Sequence, residues 1–171
     1  MRLCLLGLAL VALGGCQLNS FHSTLIGETT VPGDNSGSPL TSLPAFGSFS
    51  DLDFAQNEDF LSNGVQPSEI NSAKVTAVTL EILSPSNQDF RFLDQVQFFA
   101  RTGDSSTLIA EKENLGAETG ATLSLDVTGV DLTPYLNNTL VTFEVRGSGT
   151  TPPQDTRLRA TLDLELRVKV F

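Results

Sequence analysis

From Leu158 to Val170 every second residue is apolar: Leu158, Ala160, Leu162, Leu164, Leu166, Val168 and Val170. Between them stand Arg159, Thr161, Asp163, Glu165, Arg167 and Lys169. Successive side chains of an extended chain point to opposite faces, so this spacing makes one dry face and one wet face. A helix would scatter the same residues around its axis. The segment is therefore a long strand with one side on a core and one in water, the habit of an antiparallel sheet in a sandwich.

Shorter stretches repeat the device. Lys74 to Leu83 is rich in β-branched residues and stops at the turn cluster Ser84-Pro85-Ser86-Asn87. Val96, Phe98 and Ala100 alternate with polar neighbours, and Thr102-Gly103-Asp104-Ser105 is a hairpin signal before Thr107–Ala110. After a turn at Gly116–Gly120, Leu123, Leu125 and Val127 alternate, and Asn138–Arg146 does so again through Phe143 and Val145. Between residues 51 and 73, acidic residues around Phe54 and Phe60, Gly64 and the Pro67-Ser68-Glu69 triplet predict short helical turns. The expectation is an all-β chain: a single antiparallel β-sandwich with short helical connectors. It is immunoglobulin-like in architecture only, because there is no Trp and the only cysteines are Cys4 and Cys16. A closed barrel is the second choice. The charged alternate face of the last strand excludes a transmembrane barrel.

The N-terminus carries a different message. Arg2 precedes an apolar run, Leu3 to Leu13, far shorter than the roughly 20 residues of a membrane-spanning helix and typical of a signal-peptide core. Leu13-Gly14-Gly15-Cys16 resembles the bacterial lipobox, a branched aliphatic residue and two small residues before a cysteine. The resemblance implies a signal peptide at 1–15, cleavage before Cys16, and diacylglycerol (with palmitate-type chains) on the thiol. The small residues let the peptidase reach the backbone, and the thiol is the nucleophile that carries the thioether. Gln17 stands where Asp would mark inner-membrane retention, so the expected address is the outer membrane. Cys4 leaves with the signal, so neither a disulfide nor a cysteine metal site is expected in the mature chain.

About 155 residues follow Cys16, enough for one domain and a tether. Residues 16–50, rich in Ser, Gly, Pro and Thr, are expected to be the lipidated cysteine and a flexible spacer, with an early strand at 23–31. The sandwich is expected over 51–171. The formal net charge is −10, and −11 once Arg2 is removed. Such a surface disfavours nucleic acid as a partner.

Candidate chemistry is sparse. The sole histidine, His22, falls in the expected spacer. No G-x-S-x-G, H-E-x-x-H, Walker or dinucleotide motif occurs. Asp51/Asp53, Glu58/Asp59 and Glu111/Glu113/Glu118 are better read as helix caps and surface charge than as an acid–base pair. Thr102–Ser105 offers too few oxygens for Ca²⁺. Thr133 is expected to cap a single turn opened by Pro134, and the only tyrosine, Tyr135, to plug the end of the sandwich.

GETTVPG, the Phe-Leu-Asp before a strand, DLTPYL and the alternating last strand together resemble a group of bacterial lipoproteins with small β-sandwich domains, over most of residues 24–170. That resemblance implies no activity. The expected role is a membrane-tethered, non-enzymatic structural or binding module without cofactors. Its partners are the membrane, through the lipid on Cys16, and another envelope protein. The alternative is a carrier of an apolar ligand such as a lipid, lined by Phe90, Phe92, Phe98, Phe99 and Phe143.

Overall fold

The computed structural model describes residues 19–117, 120–137 and 140–169. Nine strands lie within them: β1 (Ser20–Val31), β2 (Pro39–Leu40), β3 (Ile70–Ser84), β4 (Leu93–Thr102), β5 (Ser105–Glu113), β6 (Thr122–Ser124), β7 (Asp126–Val127), β8 (Thr142–Thr150) and β9 (Thr156–Val168). Two helices, α1 (Glu58–Asn63) and α2 (Thr133–Leu136), and several 3-10 turns connect them. The strands form two antiparallel sheets, ordered β1-β9-β3-β6 and β2-β8-β4-β5-β7. The protein is an all-β sandwich, as the alternation predicts.

Its connectivity is not that of an immunoglobulin domain. The first strand pairs with the last, residue for residue, from Ser20 opposite Arg167 to Val31 opposite Thr156. Setting the two-residue β7 aside and lettering the other eight strands B to I, the sheets read B-I-D-G and C-H-E-F. That is the order of a jelly roll, two interleaved Greek keys.

β9 behaves as its sequence requires. Leu158, Ala160, Leu162, Leu164 and Leu166 are fully buried, and the residues alternating with them lie on the outer face. The strand stays regular because its neighbour absorbs the irregularities. The β3–β9 ladder shifts register between Ile70 and Ser72, between Val75 and Ala77, and between Ile82 and Ser84. Each bulge flips the parity of β3, so Ile70, then Ala73 and Val75, then Val78, Leu80 and Ile82 all reach the core. The final strand is shorter than the sequence pattern: it ends at Val168, and Val170 lies outside the described residues.

The expected spacer is the main correction. From Ser20 onward the segment is domain, not tether. β1 starts three residues earlier than the expected strand, and beyond it the chain lays Leu43, Phe46 and Phe49 into the core. Phe49 is fully buried, with its ring 6.4 Å from that of Phe98 and 6.2 Å from that of Phe143. The room comes from two strand glycines. A Cβ on Gly27 would stand 3.1 Å from the Phe46 Cβ, and one on Gly147 would stand 2.9 Å from the Leu43 side chain. Glycine inside a strand marks such close approach. The domain therefore begins about thirty residues before residue 51, at the first described residues.

The connectors follow local rules. α1 is opened by Asn57, whose side chain accepts from the Asp59 amide, and closed by Gly64 at φ 64°. Phe60 projects from it into the core, edge-on to Phe21 at 5.2 Å. The β4–β5 hairpin turns on Gly103 and Asp104, with Gly103 at φ 52° supplying the positive angle a two-residue loop needs.

Candidate functional site

Three surfaces gather the chemistry-bearing side chains. The first is the outer face of the β1-β9-β3 sheet. The Glu28 carboxylate accepts from Arg159, at 2.8 and 3.0 Å, and from Arg157. Arg159 also reaches Glu81 at 3.4 Å. Hydrogen bonds from Arg159 and then Arg157 hold the Glu28 carboxyl below the usual glutamate range, against a smaller opposing effect of burial. Farther along, Thr24 donates to Asp163 at 2.7 Å and Arg167 to Glu165 at 3.1 Å. Antiparallel pairing puts Glu28 opposite Arg159 and Thr24 opposite Asp163 across strands, whereas Arg167 and Glu165 are next-but-one neighbours along β9; each contact is of modest strength.

His22 lies on this same face. It is exposed in β1, opposite Glu165, and not in a spacer as the sequence reading had it.

The second surface is the outer face of β8, β4 and β5. Glu144 accepts from Arg146 at 2.6 Å and from Arg101 at 2.9 Å, and the Arg146 bonds, foremost, lower its pKa despite partial burial. The Arg146 guanidinium also stands 4.3 Å over the ring of Phe99. Gln97 and Gln95 donate to Glu111 and Glu113. Two members of the acidic cluster are thus held in cross-strand hydrogen bonds, while Glu118 lies outside the described residues.

Phe99 therefore departs from the set expected to line an apolar cavity. It points outward beneath Arg146. Phe90, Phe92, Phe98 and Phe143 are buried as expected, but they pack in the one continuous core cluster.

The third surface is the end of the sandwich where β1 begins and β9 finishes. The 3-10 turn at Pro67–Glu69, α1, α2 and the Gly103–Asp104 hairpin lie there. The Asp131 Oδ1 atom accepts from the Thr133 amide (2.9 Å), the Thr133 hydroxyl (2.6 Å) and the Ala73 amide (3.1 Å). Burial pushes the Asp131 carboxyl up, but these bonds and the nearby Lys74 charge outweigh it and leave the pKa lowered. Thr133 is thus the first residue of α2 and not its cap: Leu132 holds the cap position without a side-chain bond, and Asp131, one residue ahead of it, accepts from the Thr133 amide and hydroxyl. An Asp side chain that accepts from the amide two residues on closes an Asx turn, and here it takes the Thr133 hydroxyl proton as well.

Tyr135 is nearly buried and its hydroxyl meets the Thr107 hydroxyl, so it closes the end of the sandwich as expected. Asp53 accepts from the Ala55 amide at 2.9 Å, a turn cap. Shallow clefts open between these connectors, one lined by Asp53, Gln66, Pro67 and Asn137 and another by Asp51, Thr102, Leu140 and Thr142.

Cys16, the expected lipidation site, lies outside the described residues. The first described residue is Asn19, whose carbonyl accepts from the Val168 amide at 3.0 Å. The chain thus enters the domain at this third surface. Among the described residues no group of three or more His, Cys, Asp or Glu is placed to hold a metal ion. Nor is any helix among them long and apolar enough to cross a membrane.

No protein-family model matches the chain, and no curated protein matches it. Solved structures do. One is the cyanophage Pam1 capsid asymmetric unit, 12% identical with a TM-score of 0.40, matched over 97% of this chain and 94% of that one. The acidic stable capsid of Helicobacter pylori bacteriophage KHP30 is 11% identical with a TM-score of 0.38, over 89% of this chain and 94% of that one. The decameric BFDV capsid protein is 11% identical with a TM-score of 0.38, over 86% of this chain and 99% of that one. Likeness of this degree carries nothing about what the present chain does.

Proposed function

We propose that the protein is a lipoprotein of the bacterial envelope, cut before Cys16 and anchored by lipid on that thiol, most simply at the outer membrane. Its jelly roll acts as a non-enzymatic structural or binding module. The observation that carries this reading is Leu13-Gly14-Gly15-Cys16, placed directly after an apolar run too short to span a membrane. Cys4 is the only other thiol and lies inside the signal. Two or more acyl chains, at roughly 0.8 kcal/mol per buried methylene, hold a protein on a bilayer where one chain binds only marginally.

The surface supports a module in preference to a catalyst. Its clustered charges are engaged with one another along or across strands or cap turns, and its sole histidine sits on an exposed strand face. The carrier alternative is weakened by the same packing, since four of its five phenylalanines belong to the closed core. The net charge of −10 agrees with partners other than nucleic acid.

Metabolic labelling with an alkyne-bearing fatty acid tests the anchor. The natural chain incorporates label and fractionates with membranes, with a mature mass that begins at Cys16. Cys16→Ser abolishes the label and leaves an uncleaved or soluble form. A Cys16→Ser chain that is still cleaved, unlabelled and membrane-bound overturns the reading.

A further inference from the structure

The lipid reading of Cys16 acquires a geometric consequence, because the long spacer expected ahead of the domain is absent. Asn19 is the third residue after Cys16, with only Gln17 and Leu18 between them, and it is already fixed to the end of β9 through the Val168 amide. Three extended residues reach at most about 11 Å. The headgroup layer alone is roughly 5–8 Å thick on each side of a bilayer. A thiol whose acyl chains sit in the hydrocarbon therefore leaves almost no slack, and the end of the sandwich around Asn19 cannot stand clear of the membrane.

Resting on that anchor, we propose that the jelly roll docks end-on against the lipid surface, through the end formed by α1, the Pro67–Glu69 turn and the chain around Leu140. Several observations place these pieces beside the tether. Phe60 of α1 packs on Phe21, the second residue of β1. The Lys169 amide donates to the Glu69 carbonyl at 2.8 Å, next to the Val168–Asn19 bond. Leu52 and Val141 bridge the remaining connector to the start of β8.

This end is also where apolar side chains are left in water. Leu61 on α1 is 55% exposed and Leu140 is 47% exposed. Of the other exposed large hydrophobic residues among those described, Ile26 lies along β1 and Val127 on β7. The opposite end, with the loops at 32–38, 85–89 and 151–155, exposes none among the described residues. Two leucines inserted at the headgroup boundary add apolar burial to a tether that already holds the end in place.

Charge selects the kind of surface. Asp51, Asp53, Glu58 and Asp59 rim this end, so an anionic lipid face repels it and a zwitterionic one does not. The occupant is therefore a zwitterionic phospholipid surface, and docking strengthens as anionic lipid is removed.

The chain has no tryptophan, so single reporters read directly. Leu61→Trp, Leu140→Trp and, at the far end, Ser86→Trp are made in the full lipidated protein. Each is reconstituted into phosphatidylcholine–phosphatidylethanolamine vesicles carrying a headgroup spin label. Surface positions tolerate the change, and an unchanged melting curve verifies it. The expected result is blue-shifted, quenched emission for Leu61→Trp and Leu140→Trp, with Ser86→Trp emitting as it does in the soluble Cys16→Ser form. Lipidated, vesicle-bound protein in which Ser86→Trp is quenched as strongly as Leu61→Trp, or in which none is quenched, overturns the docking geometry and leaves the anchor standing. A chain whose N-terminal peptide carries no acyl mass overturns the anchor and the docking with it.

Discussion

Two stretches of this chain fill the same core by opposite means. β9 delivers four fully buried leucines from a regular strand, paired on one side with β1 and on the other with β3. The segment from Leu40 to Phe49 delivers Leu43, Phe46 and Phe49 with almost no ladder of its own, its two-residue strand β2 aside. One is held by backbone hydrogen bonds and presents side chains as a consequence. The other is held by its side chains, and its backbone follows. Burial, then, is not the property of regular elements alone. Where sheet strands carry glycine at the contact, as Gly27 and Gly147 do, an irregular segment can be as integral as a strand.

That equivalence sets the expected effects. The largest is on folding itself. A soluble chain of residues 19–171 should unfold cooperatively, whereas residues 51–171 should not fold, because they lose β1 and the 40–49 plug with its Leu43, Phe46 and Phe49 side chains. Circular dichroism and urea titration decide it, and a folded 51–171 chain would break the comparison. Next, Phe49→Ala should cost about 3–5 kcal/mol, in the usual range for a buried phenylalanine.

Leu164→Ala, on the inner face of β9, should cost about 2–5 kcal/mol, and its neighbour Glu165→Ala under about 0.5 kcal/mol. A one-residue register error would exchange those two results. Gly27→Ala should cost about 1–3 kcal/mol by crowding Phe46 and Phe49, and Phe49→Ala in the same chain should recover part of that loss.

The smallest effect is on pH dependence. The Glu28 pKa is lowered in the folded state, so its contribution is complete above the ordinary glutamate range. It is lost as pH falls through the lower folded value. Glu28→Gln should therefore flatten the acid limb of stability against pH, with added salt acting in the same direction on the natural chain.

The difference between the two stretches also explains what sequence reading could and could not reach. Strict period two made β9 legible, and the early acidic residues, Gly64 and Pro67 made α1 and its neighbouring turn legible. The 40–49 segment was illegible because Leu43, Phe46 and Phe49 have neither strand nor helix spacing and sit among Ser, Pro and Gly. Its one signal lay elsewhere, in glycines inside the strands it packs against. The pairing of β1 with β9 spans almost the whole chain, so no local pattern distinguishes a jelly roll from an immunoglobulin-like order. The start of α2 turned on Asp131 accepting three donors just ahead of the helix, a convergence that needs β3 in place.

Cysteine protection measures the equivalence of plug and strand most directly. In a soluble chain that starts at residue 17, and so lacks both natural thiols, Phe49→Cys and Leu164→Cys are each exposed to an alkylating reagent across a urea series. If the plug is integral, each thiol is alkylated only through global unfolding, and the free energy of exposure falls with the same slope in urea at both positions. Rapid alkylation of Phe49→Cys without denaturant and with no urea dependence, beside a fully protected Leu164→Cys, would contradict it.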